Sequence, residues 1–217
     1  AMGNARWRGV RLRDVLARAG VRPGAVEVAF DGADTGVLAA TPDLVKSLPV
    51  DKALDEHTLV AFEMNGEPLP HWHGAPARLV VPGWTATYWV KHLASISILP
   101  AAFDGYWMKS AYRLPRAAFP GAAAFASQAS ESTTPITSMV VNSLVTNMVG
   151  GQRVAAGGPL EVRGIAWDGG HGIRRVEVAQ SMDGPWMAAR LGVDAGRFSW
   201  RQWQYSFRPG AQGSQRL

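Results

Sequence analysis

Hydrophobic residues in the first part of the chain recur at the spacings of short helices and short strands. Apolar positions within residues 9–20 fall near one helical face, and Gly20 suits a helix C-terminal cap. Residues 26–30 alternate as a strand that ends in the turn at 31–32. A second short helix is predicted to begin at Thr41 as N-cap, with a proline at the first helical position. Further elements are predicted at 58–64, 77–81 and 95–99 as strands, at 65–66 as a hairpin turn, and within 84–92 as a helical turn.

The pattern changes after residue 115. Residues 116–134 are rich in alanine, serine, threonine and proline and lack periodicity, which predicts an interdomain linker. Beyond it, residues 160–167 and 173–179 each alternate as a strand, and a glycine-rich turn at 168–170 separates them. Closely spaced turn signals favour an antiparallel β-sandwich, which we expect to be incomplete because its last strand candidate breaks off at 215–217. The sequence therefore predicts a mixed α and β domain at 1–115 and an all-β domain at 135–217.

Composition narrows the classes of partner. The chain has 217 residues, 47% hydrophobic and 18% charged, so it can bury a core. Its net charge of +5 suits anionic ligands, although a GC-rich genome would also favour arginine, and the dispersed basic residues argue against nucleic acid. We expect no transmembrane helix and no signal peptide within it, because no apolar run reaches roughly 18 residues. The lack of cysteine excludes disulfides, cysteine-ligated zinc and thiol nucleophiles within this chain.

Three cationic or donor side chains surround one predicted strand: His73, Arg78 and Lys91. Each can donate to, or pair with, phosphate and heterocycle oxygens. On one extended segment His73 and Arg78 would point to opposite faces, because they are an odd number of positions apart. They converge only if the chain turns at 74–76, which a Gly-Ala-Pro sequence permits. The pattern is consistent with one side of a cofactor pocket.

Arg78 also has a purely structural interpretation. It interrupts an apolar strand, and a buried charge needs a partner because burying it alone is costly. A salt bridge to Glu63 or Glu67 would satisfy that need. The residues alone leave both interpretations open.

Asp34 and Tyr112 are two further candidates. Asp34 lies in a glycine-rich turn, where it can cap the backbone or accept paired N–H donors from a guanine- or pterin-like ring; the spacing does not match a calcium-binding EF-hand loop. Tyr112 precedes Arg113, whose charge favours the phenolate, so it can bind an anionic substrate or move protons. Alternatively it belongs to an aromatic cluster that seals the domain edge. Metal binding by histidine is not predicted, because none of these residues shows ligand spacing: His57, His71, His92 and His171.

Taken in chain order, these segments resemble the sulfite oxidase family of molybdopterin enzymes. The variant GWTATYWVKH with YWMKSAYRLP after it is most similar to the bacterial cytochrome-linked sulfite dehydrogenases. The resemblance implies a partial α+β molybdopterin-binding domain of sulfite oxidase type, followed by a partial all-β immunoglobulin-like sandwich that serves dimerisation. The matching segments are AMGNARW with GVRLRDVLARAG, FDGAD, MNGEPLP, HGAPARLVVPGW, and VRGIAWDGG to FSWRQW.

The resemblance also implies roles for individual residues. Tyr112 matches the active-site tyrosine that contacts substrate and assists proton movement. Its neighbour Ala111 stands where the animal enzymes have an aspartate, so any tuning by that acid is in doubt. The positions that match contacts to the pterin ring and its phosphate are Asp34, His73, Arg78, Trp89, Val90 and Lys91.

For the whole protein, the resemblance implies molybdenum-dependent oxidation of sulfite to sulfate in the periplasm, with electrons passed to a c-type cytochrome. The partner would be a second copy, through the immunoglobulin-like domain, or a cytochrome subunit. The family's molybdenum-binding cysteine would lie before Ala1, so we expect this chain to be a fragment without metal ligands and inactive alone. The alternatives are another sulfur compound or nitrate as substrate, and a non-catalytic remnant that acts as an interaction module.

Overall fold

The structure is a computed structural model that describes residues 2–38, 40–119, 125–181 and 183–210. The chain separates into two compact units, residues 1–138 and 139–217. The helices of the first unit are α1 (Leu12–Ala19), α2 (Val50–Ala53) and α3 (Tyr106–Lys109). Its strands are β1 (Trp7–Arg11), β2 (Glu27–Gly32), β3 (Lys46–Pro49), β4 (Leu59–Met64), β5 (Glu67–Pro68), β6 (Arg78–Val80), β7 (Leu93–Leu99), β8 (Arg113–Pro115) and β9 (Thr133–Pro135).

Two antiparallel sheets organise the first unit. One has the order β1-β4-β5, with β6 also paired to β4, and the other has the order β3-β2-β7. Strand β2 is central in its sheet and buried along most of its length, as its apolar sequence indicates. The core shared by the helices and sheets includes Leu12, Leu16, Val28, Phe30, Leu48, Leu79, Tyr88 and Met108.

Most predicted elements of the first unit are confirmed, with three corrections. Residues 31–32, predicted as a turn, belong to strand β2 and pair with β7. The first helix begins at Leu12, because the preceding residues pair with β4 as strand β1. The helix predicted at Thr41 is wrong: residues 46–49 form strand β3 instead, and the next helix begins at Val50. Pairing of β3 with β2 outweighs the local helix-start signal. The side chain of Asp43 bonds to the amide of Leu44 at 2.9 Å rather than capping a helix.

The described residues of the expected linker, 116–119 and 125–134, lie inside the first unit. Phe125 is 1% exposed and belongs to the core, and β9 pairs with β8. The buried carboxylate of Glu27 accepts hydrogen bonds from the amide of Phe103 at 3.1 Å and from Gln128 Nε2 at 3.0 Å. This segment is therefore anchored to β2. Residues 120–124 of the expected linker lie outside the described residues.

The described part of the second unit is all-β, as predicted. Its main sheet has the order β10-β11-β15-β14, and β12 pairs with β13. The predicted strand at 160–167 is confirmed, whereas only residues 177–178 of the strand predicted at 173–179 are extended and paired. The immunoglobulin-like topology stays a prediction, and the strand candidate at 215–217 lies outside the described residues. The strands are β10 (Asn142–Val145), β11 (Leu160–Trp167), β12 (Glu177–Val178), β13 (Met187–Ala188), β14 (Arg190–Leu191) and β15 (Arg201–Phe207).

Among the described residues, no helix has the length and apolar character that crossing a membrane requires.

Candidate functional site

Three separate segments of the first unit meet at the end of β2. The amide of Ala33 donates to the carbonyl of His92 at 2.9 Å, and the amide of His92 donates to the carbonyl of Gly74 at 3.1 Å. Lys91 Nζ donates to the carbonyl of Trp72 at 2.6 Å. Backbone hydrogen bonds therefore join residues that the sequence separates widely. We call the segments 31–34, 72–75 and 89–92 the binding wall.

Two glycines allow the wall to be this compact. A Cβ atom added at Gly74 would lie 2.8 Å from the Cβ of Lys91, and the φ angle of +101° at Gly74 also favours glycine. A Cβ added at Gly32 would lie 2.7 Å from the carbonyl oxygen of Lys91 and would also collide with the carboxylate of Asp34. The backbone of Lys91 thus lies between two glycines, and Asp34 lies beside it.

Arg78 joins the wall through backbone carbonyls. Its guanidinium donates to the carbonyl of His73 at 3.0 Å and to the carbonyl of Trp89 at 3.0 Å. Glu63 forms its salt bridge with Arg8 at 3.2 Å, and Arg78 has no ion pair with a described carboxylate. The salt-bridge interpretation of Arg78 is therefore wrong, because carbonyl oxygens from two loops satisfy the buried cation.

Aromatic rings complete the surroundings of Arg78, which is only 7% exposed. The guanidinium carbon lies 5.1 Å from the ring centre of Trp7 and 5.7 Å from that of Trp89, within the range of cation–π attraction. Burial lowers the pKa of Arg78, but a guanidinium stays charged at physiological pH. Its Nε has no hydrogen-bond partner among the described residues. A fixed cation with an unused donor suits a bound anion.

The other predicted wall residues contribute in different ways. The side chain of Val90 is buried in the core, and its carbonyl accepts the amide of Leu79 at 2.8 Å, so only its backbone can face a ligand. His73 and Lys91 are exposed, and Asp34 is exposed as well. The structure therefore brings the predicted residues into one neighbourhood, in which Asp34, His73 and Lys91 are exposed and Arg78 and Val90 are buried.

Tyr112 lies on a different part of the first unit, in the turn between α3 and β8. Its ring is half-exposed at 44%, and its φ angle of +54° is rare for a bulky residue. The carbonyl of Tyr112 accepts the amide of Ile136 at 2.8 Å, and the amide of Ala111 bonds to the carbonyl of Tyr106 at 3.2 Å. These bonds hold a conformation that costs on the order of 1 kcal/mol, and such strain concentrates at functional sites.

Lys46 is a residue that the sequence reasoning missed. It is only 1% exposed, and its Nζ donates to the carbonyl of Trp107 at 2.7 Å. The same Nζ lies 4.5 Å from the ring centre of Tyr88 and 5.6 Å from that of Tyr112. Burial and then the charge of Arg113 lower the pKa of Lys46 to about 8. One signal in the sequence could have indicated this burial: side chains alternate along a strand, so Lys46 shares a face with Leu48.

Strand β2 connects the binding wall with the surroundings of Tyr112. Phe30 pairs across the sheet with Lys46, and the next residues of β2 enter the wall. Asp31 lies between them with one carboxylate oxygen that is buried and has no partner among the described residues. Burial, followed by the charges of Asp43 and Asp34, raises the pKa of Asp31. One rigid strand therefore sets the positions of both candidate groups.

Comparison with known proteins agrees with this architecture. Residues 1–107 match the model of the oxidoreductase molybdopterin binding domain. The chain is 34% identical over 215 residues to mitochondrial sulfite oxidase of Homo sapiens, covering 94% of this chain and 38% of that protein. It is 30% identical over 207 residues to sulfite oxidase of Arabidopsis thaliana, covering 91% and 51%. The sulfane dehydrogenase SoxCD of Paracoccus pantotrophus superposes with a TM-score of 0.78 at 29% identity, covering 94% of this chain and 48% of that one.

The fold and the match define residues 1–107 as a molybdopterin-binding oxidoreductase domain, whose cofactor is the molybdenum cofactor. The chain belongs to the sulfite oxidase family. It spans 38% of the human relative and 51% of the plant relative.

The residues present fit this cofactor, which carries a phosphate and a polar ring system. The buried guanidinium of Arg78 keeps an Nε without a partner among the described residues, and Lys91 uses one of its three donor positions on Trp72. Both cations suit a phosphate, while the exposed carboxylate of Asp34 suits ring N–H donors.

Proposed function

We propose that this chain forms part of an enzyme that oxidises sulfite to sulfate and passes the electrons to a c-type cytochrome. The observation that carries the proposal is the binding wall, in which hydrogen bonds bring the segments of Asp34 and Lys91 together, while the buried guanidinium of Arg78 donates to the wall carbonyls of His73 and Trp89. Similarity to two sulfite oxidases supports the choice of substrate. When bound, the molybdenum cofactor supplies the oxygen-transfer and redox chemistry.

The wall residues would hold the cofactor by charge and by hydrogen bonds. Arg78 and Lys91 would bind the phosphate, and Asp34 would accept N–H donors of the pterin ring. His73 would donate from its exposed ring, while Trp89 and Val90 would contribute through their backbone, of which the Trp89 carbonyl already fixes Arg78. Because Arg78 is held by two carbonyls and two indole rings, it can bind an anion with little loss of side-chain entropy.

Tyr112 would act on the substrate. Its phenol is half-exposed, so the hydroxyl can donate a hydrogen bond to an oxyanion and then move a proton. Two backbone hydrogen bonds beside it keep the ring in place. A net charge of +5 favours the approach of anions such as sulfite.

A second candidate is oxidation of another sulfur compound. The superposition with a sulfane dehydrogenase favours this alternative. Within either function, we further propose that the second unit serves dimerisation as an immunoglobulin-like domain and that the enzyme is periplasmic. Size-exclusion chromatography with and without residues 139–217, and cell fractionation, test these two points.

The main proposal is tested with the purified, cofactor-loaded enzyme. Molybdenum content is measured together with cytochrome c reduction, using sulfite and a sulfane-sulfur compound as separate substrates. Sulfite-dependent reduction supports the proposal, and activity with the sulfane compound alone would transfer support to the second candidate. Stoichiometric molybdenum with neither activity would refute both substrates, whereas loss of molybdenum binding altogether would indicate a non-catalytic remnant.

Arg78→Ala provides the residue-level test. We expect this variant to lose molybdenum, because it removes the buried cation from the wall, while Arg8→Ala serves as the matched control. Arg8 lies on a neighbouring strand and forms an exposed salt bridge with Glu63, which contributes little stability. Normal molybdenum content in the Arg78 variant would show that the wall is assigned incorrectly.

A further inference from the structure

Lys46 carries a buried charge that the proposed function does not use. Its ammonium is fixed by the carbonyl of Trp107 at 2.7 Å and faces the rings of Tyr88 and Tyr112. Lysine is rarely buried without a partner, because removing an ammonium from water is costly. The ion pairs of lysine in the described residues involve Lys52 and Lys109, and none involves Lys46. Its position therefore needs an explanation beyond folding.

The charged and titratable groups around Lys46 leave its positive charge uncompensated. Arg113 lies close enough to repel it, and Arg113 is itself bound to the carbonyls of Met108 at 2.6 Å and Gln128 at 2.7 Å. Tyr88 is buried, and burial raises its pKa, so its phenol stays neutral. Glu27, whose charge acts on Tyr88, is engaged by the side chains of Ser127 and Gln128.

Trp107 links Lys46 mechanically to Tyr112. The carbonyl of Trp107 accepts the ammonium, and its indole N–H donates to the carbonyl of Pro42 at 2.9 Å. The indole ring then lies 5.9 Å from the ring of Tyr112 at an interplanar angle of 33°. The same ammonium also faces the ring of Tyr112 directly at 5.6 Å. Lys46 can thus affect Tyr112 both through the position of Trp107 and through its charge.

We infer that Lys46 is a positioning residue for Tyr112, which holds the tyrosine ring through Trp107 and keeps a positive charge beside it. The inference rests on the proposed role of Tyr112 in turnover. Its consequence is that the electrostatic surroundings of the Tyr112 ring depend on whether Lys46 is protonated. Because burial and Arg113 lower the pKa of Lys46 to about 8, this dependence falls in an accessible pH range. Above that pH the neutral amine can still donate to Trp107, but the charge is lost.

Two variants separate the hydrogen bond from the charge. Lys46→Gln retains a donor for the carbonyl of Trp107 but has no charge, and Lys46→Met has neither. Lys109→Met is the control, because Lys109 lies on the same short helix as Trp107 but is exposed and pairs with Asp104 at 4.0 Å. All are prepared as the cofactor-loaded enzyme, and molybdenum content is measured first. We expect normal content in each, since Lys46 is not part of the binding wall.

The first readout is turnover. For both Lys46 variants we expect kcat with sulfite to fall about tenfold, because small displacements of a reacting group carry penalties of this size, with a smaller change in KM. In the native enzyme kcat should change with pH near 8, where Lys46 loses its proton. This change should be absent from both Lys46 variants. Lys109→Met should retain the native profile.

The second readout is independent of activity. This chain contains four tyrosines, and among the NMR signals from ¹³C-labelled tyrosine Cζ atoms the one that Tyr112→Phe removes is that of Tyr112. In the native protein this signal should shift as Lys46 titrates, and the shift should vanish in Lys46→Gln. The inference would be overturned if Lys46→Gln kept both the native pH profile of kcat and the native pH-dependent shift of the Tyr112 signal. This test holds even if Lys46→Met fails to fold.

The two proposals can fail separately. Full activity in Tyr112→Phe would refute the role of Tyr112 in turnover, whereas the NMR titration would still report the coupling between Lys46 and Tyr112. Conversely, an inactive Tyr112→Phe with fully active Lys46 variants would leave the proposed function standing and refute the positioning role.

Discussion

Replacing Lys46 by methionine should change how the stability of the protein depends on pH. Burial, then the charge of Arg113, lowers the pKa of Lys46 from 10.5 to about 8 in the folded chain. Between these two values the unfolded chain binds more protons than the folded chain, so the free energy of unfolding rises with pH. The native protein should therefore gain stability relative to the methionine variant as the pH rises through this window.

The magnitude follows from the size of the shift. At about 1.4 kcal/mol per pKa unit, the buried ammonium costs the folded state ~3 kcal/mol well below its own pKa. The linkage relation removes most of that cost between pH ~7 and pH ~10. The hydrogen bond to Trp107 that methionine lacks adds an offset to the comparison at each pH, so the change with pH is the quantity that reports on the amine.

Urea unfolding followed by tryptophan fluorescence measures this change. The free energy of unfolding is determined for the native protein and for Lys46→Met at both pH values, and other titrating groups largely cancel in the difference. Lys109→Met, which removes an exposed lysine, should show no comparable trend. An equal difference between native and Lys46→Met at the two pH values would refute the lowered pKa and the reasoning built on it.

Three further substitutions test other parts of the structure. Gly74→Ala should lower the free energy of unfolding by ~2 kcal/mol and reduce molybdenum content, because the added methyl group would collide with Lys91 and the φ angle is left-handed. Urea unfolding and metal analysis measure these two effects, and native values for both would contradict the close approach. Tyr112→Asn should abolish turnover yet leave stability within ~1 kcal/mol, since asparagine tolerates positive φ; unchanged kcat would exclude a role for the phenol. Glu27→Gln should destabilise by ~2 kcal/mol in the same urea assay, as a charged acceptor of several hydrogen bonds is lost, and a native midpoint would show that the contact with Gln128 is dispensable.

The sequence predicted most strands of the first unit, but it did not predict the partners of Arg78. Arg78 could be recognised as a buried cation from its apolar neighbours, but its acceptors are carbonyls of His73 and Trp89, which any residue could provide. A carbonyl leaves no signature in the sequence. The sequence therefore favoured an ion pair with a glutamate, whereas in the structure the carbonyl oxygens satisfy the cation.

Long-range pairing explains the other differences. The threonine and proline at 41–42 form a valid local helix signal, yet β3 gains cross-strand hydrogen bonds to β2 that no local pattern reveals. Lys46 was overlooked for the same reason, because the side chains that bury it come from three other parts of the chain. Residues 125–134 resembled a linker in composition, although Glu27 anchors them through Gln128.

The binding wall is joined mainly by backbone hydrogen bonds and by the close approach of two glycines to Lys91. Such a junction tolerates many side-chain replacements but depends on the number of residues in each connecting loop. Insertions or deletions within 72–75 or 89–92 would shift the register of all three segments at once. Homologous enzymes should therefore differ in residue type within these loops more readily than in loop length.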